Sequence, residues 1–132
     1  WTLRRTRPWW VPKFYWKYLG NTTAALWAAV VSFFSLQPSE DLPRVFLSVT
    51  DLVLHAGAYA GLSFALAIGR AESNVWSWRR MIAAFAVGTS LEVLQPLVSG
   101  RFFDFRDVVS NASGIFLGTV LASFLTRRIF NP

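Results

Sequence analysis

The chain has 132 residues, of which 54% are hydrophobic and only 15% are charged, and its formal net charge is +6. A soluble domain usually has about a quarter of its residues charged and mixes apolar with polar residues to build a one-sided core. Here the apolar residues form long blocks, which argues against a soluble globular domain. With no cysteine in the chain, disulfides, thiolate nucleophiles and thiolate metal sites are excluded.

The first 18 residues combine basic with aromatic side chains: Arg4, Arg5, Arg7, Lys13 and Lys17 are interleaved with tryptophan, tyrosine and phenylalanine. Tryptophan and tyrosine favour the headgroup region of a bilayer, and Lys and Arg are attracted to anionic phosphates. We therefore expect an interfacial segment over residues 1–18, followed by a membrane domain over residues 19–132. Basic residues among aromatics also suit single-stranded nucleic acid, but apolar spans follow at once and no nucleic-acid partner is expected.

Four apolar blocks follow, near residues 19–36, 51–68, 81–98 and 108–125. Each is close to the ~20 residues that cross a hydrocarbon core as an α-helix. The blocks do not alternate apolar with polar residues, as membrane β-strands do. The sequence thus predicts an all-α fold, an integral membrane bundle of about four transmembrane helices whose surroundings are the lipid bilayer.

The basic residues predict the orientation of these helices. If the N-terminus is cytoplasmic, ten of the thirteen Lys and Arg residues lie inside. The three outside are Arg44, Arg101 and Arg106. Because basic residues concentrate in cytoplasmic loops, we expect a multi-pass protein with both termini in the cytoplasm.

Ionisable groups inside apolar spans cost about 2.5–3.5 kcal/mol or more when unpaired, so they point to function. Asp51, His55 and Tyr59 have i, i+4, i+8 spacing and share one face of the second helix. More polar residues follow in the third block, the next loop and the start of the fourth block: Glu92, Gln95, Arg101, Asp104, Asp107 and Asn111. The predicted topology places all of them at the non-cytoplasmic end, which predicts one shared polar site there.

Each of these residues also has a structural interpretation. Asp51 and Asp107 fit the N-caps of the second and fourth helices, and His55 fits a packing histidine. Glu92 lies several residues inside a span and needs a partner, for which Arg101 and His55 are the two candidates.

Small residues predict where two helices come close. Gly114 and Gly118 form a G-x-x-x-G spacing on the fourth helix, and Gly57 and Gly61 form the same spacing on the second. Such spacing allows close backbone approach in membranes. We expect these four glycines to form a tight contact between the second and fourth helices.

The ordered polar set resembles the VanZ-like family of small bacterial membrane proteins. The resemblance covers about residues 42–125 and rests on Asp51, His55, Tyr59, Glu92, Gln95, Gly100, Arg101, Asp104, Asp107, Asn111, Gly114 and Gly118. Two positions depart from the family pattern, with Leu52 where Lys is common and Ser99 where Pro is common. The resemblance implies a bacterial inner (cytoplasmic) membrane. The founding member of the family is associated with teicoplanin resistance, and the family supplies no settled mechanism.

Two functional hypotheses follow. In the first, the protein binds or acts on an anionic envelope lipid at the outer membrane face, and whether it is an enzyme stays open. The catalytic candidates are His55, Glu92 and Asp107. The candidate ligand-binding residues are Arg101, Gln95, Asn111, Asp51 and Asp104. A metal held by His55, Glu92, Asp104 and Asp107 lacks a dense ligand-spacing motif, so neither a metal nor another cofactor is predicted.

The alternative hypothesis is a non-catalytic accessory or structural subunit of a larger membrane complex, for example a bioenergetic or pigment–protein assembly. It is motivated by the small size, the bare apolar faces and the basic-aromatic N-terminal segment. A transporter is a third option, but four short helices without an inverted repeat would need to oligomerise.

Overall fold

The computed structural model describes residues 13–41, 51–70, 75–99 and 101–130. These residues form four long helices and one short 3-10 turn: α1 (Lys13–Ser35), the 3-10 turn (Ser39–Asp41), α2 (Asp51–Ile68), α3 (Trp78–Val98) and α4 (Phe105–Phe130). No strand occurs in these described ranges. The predicted all-α fold class is confirmed.

The helix boundaries follow local chemistry. Pro38 comes shortly after α1, and a proline disfavours helical geometry in the residue before it. Gly69 follows α2 directly, as glycine often does at a helix C-terminus. The first helix begins earlier than predicted, so the last six residues of the expected interfacial segment, 13–18, belong to α1. Residues 1–12 of that segment lie outside the described residues.

Within the part of the chain that the structure describes, three helices are long and apolar enough to cross a membrane: Asp51–Ile68, Trp78–Val98 and Phe105–Arg128. With 23 residues, α1 is long enough, but its first half carries Lys17, Asn21 and two threonines and is less apolar. Its packing nevertheless places the part of α1 from Gly20 onward alongside α2, in the antiparallel direction. Gly20 lies against Gly69 at one end, and farther along the Trp27 indole donates a 2.7 Å hydrogen bond to the Ala58 carbonyl.

The central helix is α2, which packs against the other three helices. Its most extensive contact is with α4, and these two helices are parallel because both start at the same end of the bundle. A Cβ on Gly114 would collide with the Ala56 carbonyl, and one on Gly118 with the Ala60 carbonyl. Glycine is therefore required on α4 for the backbones to come this close.

The prediction for the other two glycines is wrong. A Cβ on Gly57 would meet nothing within 4 Å, and one on Gly61 would lie 2.9 Å from the Trp27 ring of α1. The residues of α2 that touch α4 are instead Ala56 and Ala60, one position earlier in each turn. The rotation of α2 about its axis brings these alanines, and not the glycines, to α4.

The two ends of the bundle differ in charge. The N-termini of α1 and α3 lie at the same end of the bundle as the C-termini of α2 and α4. We call this end the basic end. The basic residues of this end include Lys13, Lys17, Arg70, Arg79, Arg80, Arg127 and Arg128. The opposite end, which we call the polar end, carries Arg101 and Arg106 among the described residues. At the basic end, Arg80 donates a 3.0 Å hydrogen bond to the Leu66 carbonyl at the end of α2.

Large apolar side chains cover the outside of the bundle. On α4, for example, Phe116, Leu117, Leu121 and Phe124 are all more than half exposed. Side chains of this kind fit a hydrocarbon environment, where apolar atoms need no water-excluding partner. The surface therefore agrees with helices that lie in a bilayer.

Candidate functional site

The centre of the site is His55, on the second turn of α2 and more than nine-tenths buried. Its Nδ1 atom lies 3.1 Å from Oδ1 of Asn111 on α4 and 3.2 Å from Oε1 of Glu92 on α3. Its Nε2 atom lies 3.7 Å from Oδ2 of Asp107 on α4. One imidazole thus joins three helices at the polar end.

We call His55, Glu92 and Asp107 the His–Glu–Asp cluster. One ligand atom from each residue lies within 4.8 Å of the other two. Glu92 is 1% exposed and Asp107 is 7% exposed, and Oε2 of Glu92 has no hydrogen-bond partner among the described residues. Two carboxylates this deep and this close require a positive charge or a proton, because charged groups in the bilayer region are costly.

A second polar layer lies one turn deeper. Tyr59 is 1% exposed, and its hydroxyl has no partner within the described part of the chain. A Cβ on Gly88 would lie 2.9 Å from the Tyr59 ring and 3.1 Å from Nδ2 of Asn111. Gly88 therefore makes room on α3 for both side chains.

Gln95 forms a hydrogen bond between two helices at the polar end. Its Nε2 atom donates a 3.2 Å hydrogen bond to the carbonyl of Ser35, the last residue of α1. This bond ties α3 to α1 at the polar end. Pro96 follows directly, and since proline has no N–H, the Glu92 carbonyl lacks its usual intrahelical donor at that position.

Among the described residues, the rim of the site contains one ion pair, in which Nη2 of Arg101 lies 3.8 Å from Oδ2 of Asp51. The proposed bridge between Glu92 and Arg101 is therefore not the one formed, since Glu92 pairs with His55. Arg101, whose side chain is 17% exposed, pairs with the more exposed carboxylate of Asp51, which is 66% exposed. Among the described residues, no ion pair joins this rim pair to the cluster.

Asp104, and not Asp107, caps α4. Its Oδ1 atom accepts a 2.8 Å hydrogen bond from the backbone N–H of Arg106, the second residue of the helix. This is the usual bond of an N-cap aspartate. Asp107, one turn later, is thereby left to point inward at His55. The capping interpretation of Asp107 is wrong, because the helix begins three residues earlier than the apolar block suggested.

Two cavities meet at this end. The polar chamber, with a volume of about 1020 Å³, is lined by Pro38, Glu40, Asp51, Leu52, Ser99, Arg101, Phe102, Phe103, Asp104, Arg106 and Asp107. The apolar groove, of about 450 Å³, runs between α1 and α2 and includes Trp27, Val30, Val31, Phe34, Val53, Leu54, His55, Gly57 and Tyr59. Asp51 and Arg101 line both cavities. The two cavities are therefore adjacent, with these two residues between them.

The His–Glu–Asp cluster lies between the two cavities. Asp107 is part of the chamber wall and His55 is part of the groove wall. A molecule that occupied both cavities would contact the cluster from both sides.

Sequence reasoning placed the candidate polar residues at one end of the bundle but did not identify two further residues that contact them. Gly88 was not singled out, although it lies one turn before Glu92 on the same face of α3. That spacing was the available signal, because an interior glycine beside a buried polar residue indicates close packing. Nothing in the sequence indicated that the Ser35 carbonyl would accept a hydrogen bond from Gln95.

Four packed helices with apolar exteriors and a buried ionisable cluster at one end define a small helical multi-pass membrane protein. A family model described as VanZ/LLP1 matches residues 10–126, and the chain belongs to this family. This confirms the family recognised in the sequence. Comparison with curated proteins finds no match, and comparison with solved structures finds none either.

Proposed function

We propose that the protein binds an envelope lipid at its polar end, with the anionic head group in the polar chamber and an acyl chain in the apolar groove. The observation that carries this proposal is that the two cavities adjoin one another and share Asp51 and Arg101 as wall residues. A polar compartment beside an apolar one matches the two parts of an amphiphile. This arrangement fits neither a purely water-soluble ligand nor a purely apolar one.

Arg101 is the residue best placed for the head group. A guanidinium binds phosphate through two parallel hydrogen bonds, and the 3.8 Å pair with the exposed Asp51 is loose enough to exchange. The groove supplies the apolar contact. Val30 and Val53, on opposite walls, are 49% and 60% exposed at the outside of the bundle, so a chain can enter from the side.

The His–Glu–Asp cluster would lie beside such a head group. His55 and Glu92 are candidates for a general acid or base, since imidazole and carboxyl groups exchange protons at moderate cost. Their position between the two cavities supports a role in handling the polar part of a lipid. The proposal itself concerns binding and names no reaction.

Removing the Arg101 charge is expected to weaken lipid binding. The purified protein in a mild neutral detergent would be titrated with phosphatidylglycerol or phosphatidylcholine while its thermal stability is measured. Arg101→Gln should lower the apparent affinity for phosphatidylglycerol by about tenfold, because a hydrogen bond to a charged group contributes about 1.5–3 kcal/mol. Arg79→Gln, at the basic end, is the matched control for net charge and should keep wild-type affinity.

The contribution of the groove can be tested separately. Gly57 lines the groove and has open space around its Cβ position, so Gly57→Trp should fill the groove without disturbing the fold. We expect it to weaken phosphatidylglycerol binding, while Gly57→Ala does not. Wild-type protein should bind free glycerol phosphate far more weakly than the lipid. Equal binding of phosphatidylglycerol and phosphatidylcholine by wild-type protein would contradict the anionic head group.

We also propose the bacterial cytoplasmic membrane as the location, with the basic end and both termini in the cytoplasm. The separation of basic residues between the two ends supports this orientation. A reporter enzyme that works only in the cytoplasm, fused after Pro132, should be active. Activity of a periplasmic reporter at the same position would contradict this orientation and would mean that the polar end faces the cytoplasm.

Mild extraction from the native membrane distinguishes lipid binding from the accessory-subunit alternative. A protein that migrates alone or as a small homo-oligomer with bound lipid supports the binding proposal. Stoichiometric migration with a large complex would favour the accessory subunit, and the polar end would then mainly stabilise the fold.

A further inference from the structure

We propose that the His–Glu–Asp cluster binds one divalent transition-metal cation of the Zn²⁺ or Mn²⁺ type. This proposal goes beyond lipid binding and does not depend on it. Imidazole nitrogen and carboxylate oxygens are the ligands that such ions accept, whereas Ca²⁺ and Mg²⁺ prefer oxygen ligands alone. The three residues come from three different helices and are far apart in the sequence. The sequence therefore contains no ligand-spacing motif for this site.

The distances are close to those of a metal site. Ligand atoms from His55, Glu92 and Asp107 lie within 4.8 Å of one another. Ligands bound to one tetrahedral ion at about 2.1 Å lie about 3.4 Å apart. Shifts of up to about 1 Å in these side chains are therefore enough to bring all three atoms onto one cation. Side-chain rotation about χ angles supplies such a shift without moving the helices.

The hydrogen bonds leave ligand atoms available. Oδ1 of Asn111 and Oε1 of Glu92 both lie within 3.2 Å of Nδ1 of His55. If Nδ1 carries the proton, Nε2 presents its lone pair on the side of Asp107. Metal-binding histidines usually donate their other N–H to such an oxygen, which fixes the tautomer and the ring orientation.

A buried atom without a partner points to the same site. Oε2 of Glu92 has no hydrogen-bond partner among the described residues, although Glu92 is 1% exposed. An unpaired carboxylate oxygen at this depth is costly, since buried polar atoms are nearly always hydrogen-bonded or bound to an ion. A cation in the cluster would satisfy this oxygen together with Asp107.

The charge of the surroundings favours a cation as well. Within the described part of the chain, the chamber is lined by four carboxylates and two guanidinium groups: Glu40, Asp51, Asp104 and Asp107, against Arg101 and Arg106. Glu92 lies behind this wall and adds another carboxylate. A divalent ion would offset this excess of negative charge, and a bound ion is often the largest local charge in such a site.

The experiment measures metal content and stability on the full chain in neutral detergent. Protein stripped with a chelator would be incubated with Zn²⁺, Mn²⁺ or Mg²⁺, desalted and analysed for bound metal, and its thermal unfolding would be recorded. We expect about one Zn²⁺ or Mn²⁺ per chain, a higher unfolding temperature with either ion, and no effect of Mg²⁺. The readout needs no lipid, so it stays separate from the test of the lipid proposal.

Variants of the same size identify the ligands. Glu92→Gln and Asp107→Asn remove a ligand charge but keep the volume, and each should lower the apparent metal affinity by at least about tenfold. Asp41→Asn is the matched control, because Asp41 is exposed and lines neither cavity, and it should bind metal like the wild type. His55→Gln serves as a third ligand variant and should also lose the metal-dependent rise in unfolding temperature.

The competing explanation is a protonated imidazole held between two carboxylates, which needs no metal. That explanation would be established, and the metal proposal overturned, if wild-type protein retained no metal and its unfolding temperature did not respond to Zn²⁺ or Mn²⁺. Equal metal content in the wild type and in both carboxyl variants would also overturn it, since the ion would then be bound elsewhere.

Discussion

Gly118→Ala is expected to destabilise the folded bundle by about 2 kcal/mol or more. The added Cβ would collide with the carbonyl oxygen of Ala60, which belongs to the α2 backbone and cannot rotate away. Overpacking of this kind costs about 1–3 kcal/mol and sometimes more. The separation of the helices would also stretch the 2.7 Å hydrogen bond between Ser63 and Thr119, one turn from Ala60.

A graded series of glycine variants makes this prediction specific. Gly114→Ala should behave like Gly118→Ala, because its Cβ meets the Ala56 carbonyl. Gly61→Ala should cost less, since the 2.9 Å contact is with the Trp27 side chain, which can shift. Gly57→Ala should be neutral or slightly stabilising, because it meets nothing and alanine is the better helix former.

The measurement is thermal or denaturant-induced unfolding of each variant in the same detergent. Equal stabilities for Gly118→Ala and Gly57→Ala would contradict the α2–α4 packing described above. A reversed order, with Gly57→Ala the more damaging, would mean that the originally predicted glycine face of α2 is the true contact.

Replacing His55 by alanine is expected to have the largest effect in the polar site. Glu92 and Asp107 would lose the ring that lies 3.2 Å and 3.7 Å from their oxygens, and Asn111 would lose its 3.1 Å hydrogen-bond partner. A buried carboxylate without a partner costs about 2.5–3.5 kcal/mol in a membrane span. We expect His55→Ala to lower the free energy of unfolding by at least this amount, or to prevent accumulation of folded protein.

The physical cause can be separated from simple loss of volume. If unpaired carboxylates are responsible, His55→Ala combined with Glu92→Gln and Asp107→Asn should recover part of the stability, because neutral side chains cost less to bury. A double-mutant cycle between His55 and Glu92 should then give a coupling energy of about 1 kcal/mol or more. Additive effects would show that the ring acts only by filling space.

Ser63→Ala provides a control on the same helix. Ser63 lies two turns below His55 and also bonds to α4, through Oγ1 of Thr119. Thr119 keeps its 2.9 Å bond to the Ile115 carbonyl when Ser63 is removed. Interhelical hydrogen bonds of neutral groups in membranes contribute only about 0.6 kcal/mol on average. A cost for Ser63→Ala as large as that for His55→Ala would contradict a special role of the charged cluster.

Much of the fold could be predicted from the chain because its signals are local. The block at 51–68 coincides with α2, and the ends of the α1 and α3 blocks fall within one residue of the helix ends. The starts of α1, α3 and α4 were missed by three to six residues, because aromatic and basic residues continue these helices beyond their apolar parts. Helix propensity does not distinguish such residues from those in the span.

The pairing within the site could be predicted only in part. Helical spacing placed His55 and Tyr59 on one face of α2, and both are buried there. The same reasoning could not choose between Arg101 and His55 as the partner of Glu92. That choice depends on the relative rotation of α2, α3 and α4, which no local pattern encodes. The assignment of the α4 cap to Asp104 likewise depends on where the helix begins.

The sequence by itself determined that this is a helical membrane protein with its buried ionisable residues at one end of the bundle. These properties follow from hydropathy, from the ~20-residue span length and from helical periodicity, all of which act along the chain. The ordered set of polar residues, in turn, carried the resemblance to the VanZ-like family. Only the tertiary structure decided that Ala56 and Ala60, not Gly57 and Gly61, meet α4, and that His55 lies between Glu92 and Asp107. The reason is that packing between helices depends on their rotation and axial register, which are set by contacts between distant residues.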